Sequence, residues 1–467
     1  MCLNNGWTIR NWIYTGILER LAWEYRVLVL TPVKDDPQFQ EIISNKNIPV
    51  ETSCLDTAKK HPFSKELRRF KDRLFYEILK LETQKIKRFE EQRSFFEKIA
   101  SIIILILAKL PGSKLILSLL DRFDNALSRD RTLKNTLARF HPDILLSTHP
   151  YVDAERRLIL EAHRQGIPIQ SSILSWDNIF NKGMLPFCID EIIVWNQIQK
   201  DRILSYYSRY TSQQIVVSGI PPFDIYRSSK AENFNKDNYL KTLKIKPEKQ
   251  VLLYCTGPES LFPREPEIIQ ILIANMEKKT LPEDTHLLIR CHPHDTADRY
   301  ARFFSHNRVT VVESSLDLKT RNTFTWIPPV DEMYGLMAML KASRLCLNIA
   351  STTSLDAVAC GLPVINIGFD GNKERTYMNS VRRYYHYSHY KDVVKTGGVK
   401  YVKDEKEMIY WIKRYLRDPF IDKDKRATLL FEQCWKLDGK SAERVVQIIK
   451  DFVSKKMFIE NDNKSQQ

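Results

Sequence analysis

Serine and threonine side chains follow a buried apolar segment in LCLNIASTTSLDAVACGLPVINIGF, which spans residues 345–369. The pattern predicts a strand, a polar turn, a short helix ended by Gly361, and a second strand begun by Pro363. A helix that starts at the carboxyl edge of a parallel sheet favours an anion, although an ordinary capped helix has the same pattern. The candidate phosphate-binding residues are the turn hydroxyls and the first acidic residue of the helix: Ser351, Thr352, Thr353, Ser354 and Asp356.

A second candidate site is the segment HLLIRCHPHD, residues 286–295, an apolar strand followed by a basic cluster. Arg290, His292 and His294 would lie at the carboxyl end of that strand, where α/β sheets bind ligands. Arginine binds pyrophosphate through paired hydrogen bonds, and an oriented imidazole donates another. The alternatives are a structural polar cap and a metal site, but two histidines without further ligands make a poor metal site.

Two weaker signals lie in the same half of the chain. The loop after the strand VLLYC contains Thr256 and Gly257, whose backbone N–H groups could approach a phosphate. The aromatic segment YYHYSHY, residues 384–390, could stack on a base or sugar, or could form a packed turn.

Acid–base chemistry is predicted for the first half of the chain. The segment SWDNIFNKG, residues 175–183, follows an apolar run, and Asp177 is the carboxylate we select as general base. Lys182 could bind a phosphate or pair with that carboxylate. His149 and Asp153, in the segment STHPYVD, are rival candidates for the base. The alternative for the SWDN segment is an Asx-turn without a catalytic role.

The composition limits the partners of the protein. The 467 residues carry a formal net charge of +15 at pH 7, which points to an anionic partner: nucleic acid, an acidic membrane surface or a phosphorylated substrate. Nucleic acid ranks last, because the sequence has no RNA-binding motif, zinc finger or Arg-rich tail. The eight cysteines include no CxxC pair, so we expect neither a structural zinc site nor a disulfide framework. We also find no signal-peptide pattern.

Short apolar runs alternate with helical segments, which predicts an α/β fold with mostly parallel sheets. At this length two domains are expected. We predict two Rossmann-like domains facing each other across a cleft: an N-terminal domain over 1–228, a linker over 229–249, a C-terminal domain over 250–455, and a polar tail over 456–467. No strand is predicted before the helix Trp12–Glu24, so the first strand is either missing from the sequence or absent from the sheet.

A long helical insertion is predicted within the first domain, over about residues 59–140. Lys59–Lys98 carries thirteen Lys or Arg residues against seven Asp or Glu, a net charge of +6. The apolar segment Ile99–Leu107 follows, and a spanning helix would need about 20 apolar residues. A basic helix beside an apolar one is suited to an anionic membrane surface; the alternative is a helical subdomain with Ile102–Leu107 in its core.

The ordered motifs resemble the GT-B glycosyltransferases, and within them the CDP-glycerol glycerophosphotransferases (teichoic-acid polymerase-like) and surface-carbohydrate biosynthesis proteins. The resemblance covers roughly residues 140–370. The matching segments are SWDNIFNKG, DEIIVWN, VVSGIPPFD, LLYCTGPES, LIRCHPHD, IPPVDEMYGLMAMLKAS and CLNIASTTSLDAVACGLPVINI.

The resemblance implies residue roles. In that family the HP motif and the Ser-rich turn hold the donor phosphates, which would correspond here to Arg290, His292 and Ser351–Thr353. A WHGT-type motif supplies the family's proposed catalytic histidine, and Asp177 stands at that place here. Because of this difference, sugar transfer is as consistent with the sequence as glycerophosphate transfer.

The sequence therefore predicts a bacterial transferase that moves a sugar or polyol-phosphate from a CDP- or UDP-linked donor to a hydroxyl of a glycan or lipid-linked acceptor. We expect no cofactor and no metal, and a cytoplasmic location, peripheral on the inner face of the plasma membrane. Two alternatives remain open at this stage: a non-hydrolysing UDP-sugar 2-epimerase and a non-enzymatic membrane-associated assembly protein.

Overall fold

The structure is a computed structural model that describes residues 1–55, 62–91, 95–314 and 326–465. The chain divides into two compact units. The first contains residues 1–222, the short segment 326–327 and the C-terminal segment from Lys440; the second contains the described residues between Phe223 and Gly439. The C-terminal segment thus belongs with the N-terminal residues, whereas the sequence prediction assigned residues up to 455 to the second domain.

Twelve strands form in the described residues. In chain order, β1 to β12 are Val27–Thr31, Val50–Cys54, Leu145–Ser147, Ile169–Ser172, Glu191–Val194, Ile215–Val217, Gln250–Cys255, Thr285–Arg290, Val309–Val312, Leu345–Asn348, Val364–Ile367 and Lys400–Val402. All pairings between them are parallel. The α/β prediction is confirmed, and the sequence patterns missed β2 and β12, which are short and polar.

Helices occupy most of the remaining described chain. In chain order, α1 to α20 are Gly6–Ile9, Ile17–Ala22, Pro37–Asn45, Pro62–Ile78, Glu82–Glu91, Phe95–Lys109, Ser113–Leu127, Arg131–Phe140, Asp153–Arg164, Asn178–Asn181, Gln197–Tyr206, Ser229–Glu232, Lys236–Thr242, Glu265–Glu277, Asp331–Ala342, Thr353–Ala359, Ser388–Lys395, Glu405–Arg417, Lys423–Cys434 and Ser441–Ser465. The predicted helix Trp12–Glu24 is wrong in its bounds: a π-helix, Arg10–Tyr14, follows α1, and α2 starts after Gly16 at φ 74°.

The first unit has a four-stranded sheet of order β3-β4-β5-β6 and a two-stranded sheet, β1-β2. Residues Met1 to Leu3 lie between the two sheets. Leu30 of β1 bonds to this segment twice: its backbone N–H donates to the carbonyl of Met1, and its carbonyl accepts from the N–H of Leu3. The N–H of Cys2 donates to Leu146 on the other side. The first residues therefore take a strand's place, where the sequence prediction had no strand.

The sheet of the first unit is covered by apolar residues on both faces. Successive strand residues point to opposite faces. Leu145 and Ile192 join a core that includes side chains of α9, whereas Leu146 and Ile193 join a second core with α20. This two-sided burial explains why these strands are continuous apolar runs rather than alternating ones.

The second unit has a six-stranded sheet of order β12-β11-β10-β7-β8-β9. The chain starts at β7, adds β8 and β9 on one side, and then adds β10 to β12 on the other. The direction of the chain therefore switches between β7 and β10, which is where ligands bind in open α/β sheets. The segment predicted as a linker, residues 229–249, contains α12 and α13 and lies in this unit.

The helical insertion is confirmed in the described residues, where α4 to α8 follow one another without an intervening strand. Residues 59–61 and 92–94 of the predicted insertion lie outside the described residues, as do residues 466–467 of the predicted tail. No helix in the described part of the chain combines the length and apolar content needed to cross a membrane. All eight cysteines are free thiols.

Candidate functional site

In the first unit, the N-terminal residues lie beside β3, and the chain runs outward from this position in both directions, to β1 and β2 on one side and to β4 to β6 on the other. The loops after Leu3 and Ser147 meet at this switch point, where the direction of the chain changes. Glu155, in the first turn of α9, is fully buried beneath these loops. Its carboxylate accepts hydrogen bonds from the backbone N–H groups of Thr148 and His149, both at 2.9 Å, and from the side chains of Ser147 and Asn4. Burial raises the pKa of Glu155 to about 7, despite these donors.

His149 lies in the loop that Glu155 fixes. The residue is 8% exposed, and its Nδ1 atom is buried without a hydrogen-bond partner among the described residues. Burial and, to a smaller extent, the charge of Lys182 lower the pKa of His149 to about 4, and the charge of Asp177 acts in the opposite direction. His149 is therefore a neutral imidazole at neutral pH, and its buried Nδ1 atom has no hydrogen-bond partner among the described residues.

Asp177 and Lys182 flank the short helix α10, after the end of β4. The carboxylate of Asp177 accepts hydrogen bonds from the side-chain amides of Asn181, at 2.8 Å, and Asn178, at 3.2 Å. Lys182 is exposed. Three of the predicted residues of the first domain, His149, Asp177 and Lys182, are thus close enough to influence one another electrostatically.

The third candidate base, Asp153, has different partners. Its carboxylate pairs with Arg68 of α4 at 2.7 Å and with Arg157 of α9 at 3.2 Å. A carboxylate held by two guanidinium groups is stabilised as an anion and is a weak proton acceptor. The structure therefore gives Asp153 an ion-pairing role that connects the helical insertion to α9.

In the second unit, Thr256 and Gly257 follow β7 at the switch point. The hydroxyl of Thr256 donates to Asp295 at 2.8 Å and accepts from the backbone N–H of His292 at 2.9 Å. The N–H of Gly257 donates to the buried carboxylate of Glu265 at 2.9 Å. Burial raises the pKa of Glu265 to about 8. The groups predicted to approach a phosphate here are thus occupied in holding the loop together.

The basic cluster after β8 has a defined protonation pattern. The backbone N–H of His294 donates to Nδ1 of His292 at 3.0 Å, so in the neutral ring of His292 the proton is on Nε2. Burial lowers the pKa of His292 to about 4, which keeps that neutral form at neutral pH. The exposed ring of His294 stacks on it, with centroids 5.6 Å apart. Arg290, by contrast, forms an ion pair with Glu332 of α15.

The Ser/Thr turn after β10 is braced by tyrosines of the segment 384–390. The N–H of Ala350, which has φ 39°, donates to the hydroxyl of Tyr385, which donates to the carbonyl of Ile367. Tyr390 and Ser354 bind each other at 2.8 Å in a fully buried polar network. The segment therefore forms a packed support, with Tyr385 and Tyr390 buried, and sequence reasoning had left this choice open.

The predicted phosphate-binding residues of this turn have different environments. The hydroxyl of Ser351 donates to Thr353 at 3.1 Å and accepts from its backbone N–H. Thr352 is exposed, whereas Ser354 is fully buried. Asp356 accepts a hydrogen bond from Tyr226 at 2.6 Å. Ser351, Thr352 and Thr353 are thus the members of the set that a ligand could reach.

Sequence reasoning missed the residues that support these loops. Asn4, Glu155, Glu265 and Tyr385 hold the loops in place. Asn4 and Tyr385 are distant in sequence from their partners, whereas Glu155 and Glu265 follow His149 and Gly257 by six and eight residues. A strand that ends in two asparagines and a glycine was the available signal for Asn4. In the described residues, no three His, Cys, Asp or Glu side chains come together as a metal site requires.

Comparisons with known proteins identify the fold. No protein-family model matches the sequence, and no curated protein matches it significantly. A protein from Listeria monocytogenes assigned as a UDP-N-acetylglucosamine 2-epimerase has a similar structure, with TM-score 0.57, 13% identity, and 97% of this chain and 96% of that chain covered. The UDP-GlcNAc 2-epimerase from Neisseria meningitidis bound to UDP-GlcNAc has TM-score 0.51, 12% identity, and coverage of 95% and 97%.

A wall teichoic acid polymerase, TagF, is also similar, at TM-score 0.38 and 14% identity, with 58% of this chain and 60% of that chain covered. The epimerase similarities extend over nearly the whole chain, but at such identities they concern the fold and not the activity. The chain has the α/β architecture of two-domain GT-B-type proteins.

Proposed function

We propose that this protein is an enzyme that transfers a sugar or polyol-phosphate from a nucleoside-diphosphate-activated donor to a hydroxyl acceptor in cell-surface polysaccharide biosynthesis. The observation that carries the proposal is His149. It is a buried, neutral imidazole with an unpartnered Nδ1 atom, at the switch point of a parallel sheet. Histidine is the side chain that enzymes use most often as a general base.

In the proposed reaction, His149 accepts the proton of the acceptor hydroxyl as the oxygen attacks the donor. For sugar transfer, the new bond forms at the anomeric carbon, and the bond from that carbon to the diphosphate breaks. For polyol-phosphate transfer, the attack is at phosphorus, and the nucleoside monophosphate leaves. Asp177 lies near enough to stabilise the imidazolium that forms, because its charge offsets part of the lowering of the His149 pKa. His149 thus replaces Asp177 as the proposed base.

The second unit would bind the donor. His292 presents an Nε2–H donor whose orientation is set by the hydrogen bond to its Nδ1 atom, and His294 stacks beside it. Ser351, Thr352 and Thr353 would add hydroxyl groups after β10. The positive net charge of the chain also favours an anionic ligand. The proposal includes no metal, and Arg290 would have to exchange its bond to Glu332 for one to phosphate.

The first test is the thermal stability of the purified protein with CDP, UDP and GDP at fixed salt. A ligand at about 100 times its dissociation constant stabilises the folded state by roughly 2.7 kcal/mol, so binding raises the unfolding temperature. A rise with CDP alone would favour polyol-phosphate transfer, and one with UDP or GDP would favour a sugar donor. Folded protein that no nucleotide stabilises would refute the proposal and favour an assembly protein.

A second candidate is a UDP-sugar 2-epimerase, because the proteins with TM-scores above 0.5 named above are assigned that activity. Incubation with UDP-GlcNAc alone separates the two candidates. An epimerase converts the sugar to its C2 isomer in the absence of an acceptor, which proton NMR detects as a new anomeric signal. A transferase leaves the sugar configuration unchanged and releases nucleotide only when an acceptor is present.

A further inference from the structure

One face of α6 is apolar and exposed. Ile102 and Ile106 are each 57% exposed, while Ile104, on the opposite side, is 2% exposed in the core. The exposed large apolar residues recur every three or four positions, which places them on one face of a helix: Phe95, Ile99, Ile102, Ile103, Ile106 and Leu110. Helix α6 therefore has apolar residues on two sides, of which only one is used in the fold.

The next helix, α7, repeats this arrangement. Leu115 is 66% exposed, and Leu119, Phe123 and Leu127 follow it at four-residue intervals. Leu117, on the other side, is buried in the same core as Ile104. Both helices pack on α4 and also contact each other. Exposed apolar groups in such number mark an interaction surface. We name the exposed stripes of the two helices the α6–α7 face.

The exposed charges of α6 and α7 have a single sign. Between Phe95 and Leu127, the exposed charged side chains are Lys98, Lys109, Lys114 and Arg122. The acidic residues of the two helices are turned to internal partners instead: Glu97 faces Arg69 at 3.8 Å, Asp121 pairs with Lys71 at 2.7 Å, and Asp124 pairs with Lys71 and Arg156.

We propose that the α6–α7 face docks on an anionic lipid bilayer. A helix that lies on a bilayer buries an apolar face at the boundary of the lipid headgroups, with Lys and Arg near the phosphates. The α6–α7 face has both components. Helix α6 contains 15 residues, which suits a helix lying on the surface. The proposal is independent of the proposed function, because none of these residues belongs to the candidate site.

The charges also argue against a second copy as the occupant. A twofold dimer through this face would bring the same patch of both copies together. The basic residues of one copy, Lys98, Lys109, Lys114 and Arg122, would then face the basic residues of the other, without exposed acidic residues of α6 or α7 to pair with them. Like charges in an interface disfavour association. An anionic lipid surface complements the apolar residues and the positive charges at once.

The test is sedimentation of the intact protein with vesicles of phosphatidylcholine alone and of phosphatidylcholine mixed with phosphatidylglycerol. We expect binding to the mixed vesicles that weakens with salt, and little binding to the neutral ones. The double variant Ile102→Ser/Ile106→Ser should reduce vesicle binding about tenfold or more, because it removes apolar area that enters the lipid. Lys109→Gln/Lys114→Gln should lower binding to the mixed vesicles and make it less sensitive to salt.

Phe431→Ser is the matched control, since Phe431 is an apolar residue on α19 of the second unit that is at least as exposed, at 66%. It should bind vesicles as the wild type does. All variants should keep the wild-type unfolding temperature, because the replaced side chains are exposed. The proposal is overturned if the wild type does not sediment with the mixed vesicles, or if the isoleucine variant sediments equally well. A lipid-free dimer that the same variant dissociates would overturn it in favour of a second copy.

Discussion

The backbone N–H of His149 donates a hydrogen bond to the buried carboxylate of Glu155 at 2.9 Å, and the same relationship recurs in the second unit between Gly257 and Glu265. In each case a glutamate near the start of the next helix lies beneath the loop that follows a strand at the switch point. Burial raises the pKa of both glutamates, to about 7 and about 8. The two loops that would meet the substrates are thus held by the same kind of contact.

This contact predicts a pH dependence of stability. The pKa of Glu155 in the folded state is above its ordinary value of 4.5, so its contribution to stability is complete below that value and is lost as the pH rises through about 7. The loss is on the order of 3 kcal/mol. Glu155→Gln cannot ionise and should flatten the fall in unfolding free energy between about pH 5 and 7.

Urea unfolding at a series of pH values measures this effect. Glu374→Gln is the control, because Glu374 is exposed. An unchanged pH slope in the Glu155 variant would show that the carboxylate is already ionised at acidic pH in the folded protein.

The proposed base is tested by substitution of His149. His149→Gln should lower turnover by roughly 10²- to 10⁴-fold, which is the usual contribution of a general base. Nucleotide-induced thermal stabilisation should stay as in the wild type, because the donor residues are in the second unit. Asp177→Asn should lower turnover less, since Asp177 acts through His149. His163→Gln, on the exposed side of α9, should leave turnover unchanged. Full activity in the His149 variant would return the base to Asp177.

The donor residue His292 makes a separate prediction. His292→Ala should decrease the thermal stabilisation by the preferred nucleotide, because it removes the Nε2–H donor. His306→Ala is a suitable control, since His306 precedes β9 and so lies at the opposite end of the sheet. Equal stabilisation of the His292 variant and the wild type would remove His292 from the binding site.

The sequence predicted the strands well because parallel strands covered on both faces are apolar runs between turn residues. The predicted strand ends also located the loops that follow them, and so His149 and His292 could be named as candidates. The choice between Asp177, His149 and Asp153 could not be made, because it depends on partners from distant segments. Arg68, which forms an ion pair with Asp153, is 85 residues away in the chain.

The residues that hold the loops, such as Glu155, were not predictable either, because their burial is not visible in the sequence. A buried glutamate such as Glu155 is indistinguishable in sequence from a surface residue of an amphipathic helix. Burial of Lys71 in an ionic cluster is equally hidden, since α4 also contains exposed basic residues such as Lys65 and Arg69. The insertion was correctly predicted as helical, but the sequence could not tell which side of α6 is in the core.

The ionic cluster around Lys71 should be essential for the insertion. Lys71 is fully buried and bonded at 2.7 Å to both Asp121 and Asp124, and the charges of Arg156 and Lys71 hold the pKa of Asp124 below its ordinary value against the effect of burial. Lys71→Met removes the buried positive charge that pairs with Asp121 and Asp124. We therefore expect a loss of about 3–5 kcal/mol in the free energy of unfolding. Lys65→Met, at an exposed position of the same helix, should cost far less. Equal unfolding midpoints in urea would contradict this role.

Two glycines of the second unit should respond to alanine substitution with opposite changes in the free energy of unfolding. A Cβ atom on Gly257 would lie 1.9 Å from Cδ2 of Phe262, whose ring is buried and packs on Tyr384 with centroids 5.1 Å apart. Gly257→Ala should therefore destabilise the protein by about 1–3 kcal/mol or more, because the ring cannot move away freely. A Cβ atom on Gly335, within α15, would meet no atom within 4 Å. Gly335→Ala should stabilise the protein by about 0.5–1 kcal/mol, since alanine favours the helix.

Urea unfolding of both variants beside the wild type checks the pair. The Gly257 variant should also lose nucleotide-induced stabilisation, because the backbone of Gly257 is bonded to Glu265 in the loop that holds Thr256 and, through it, His292. The Gly335 variant should keep that stabilisation. A Gly257 variant as stable as the wild type would mean that the loop after β7 adjusts without cost, and that close packing against Phe262 does not fix the donor loop.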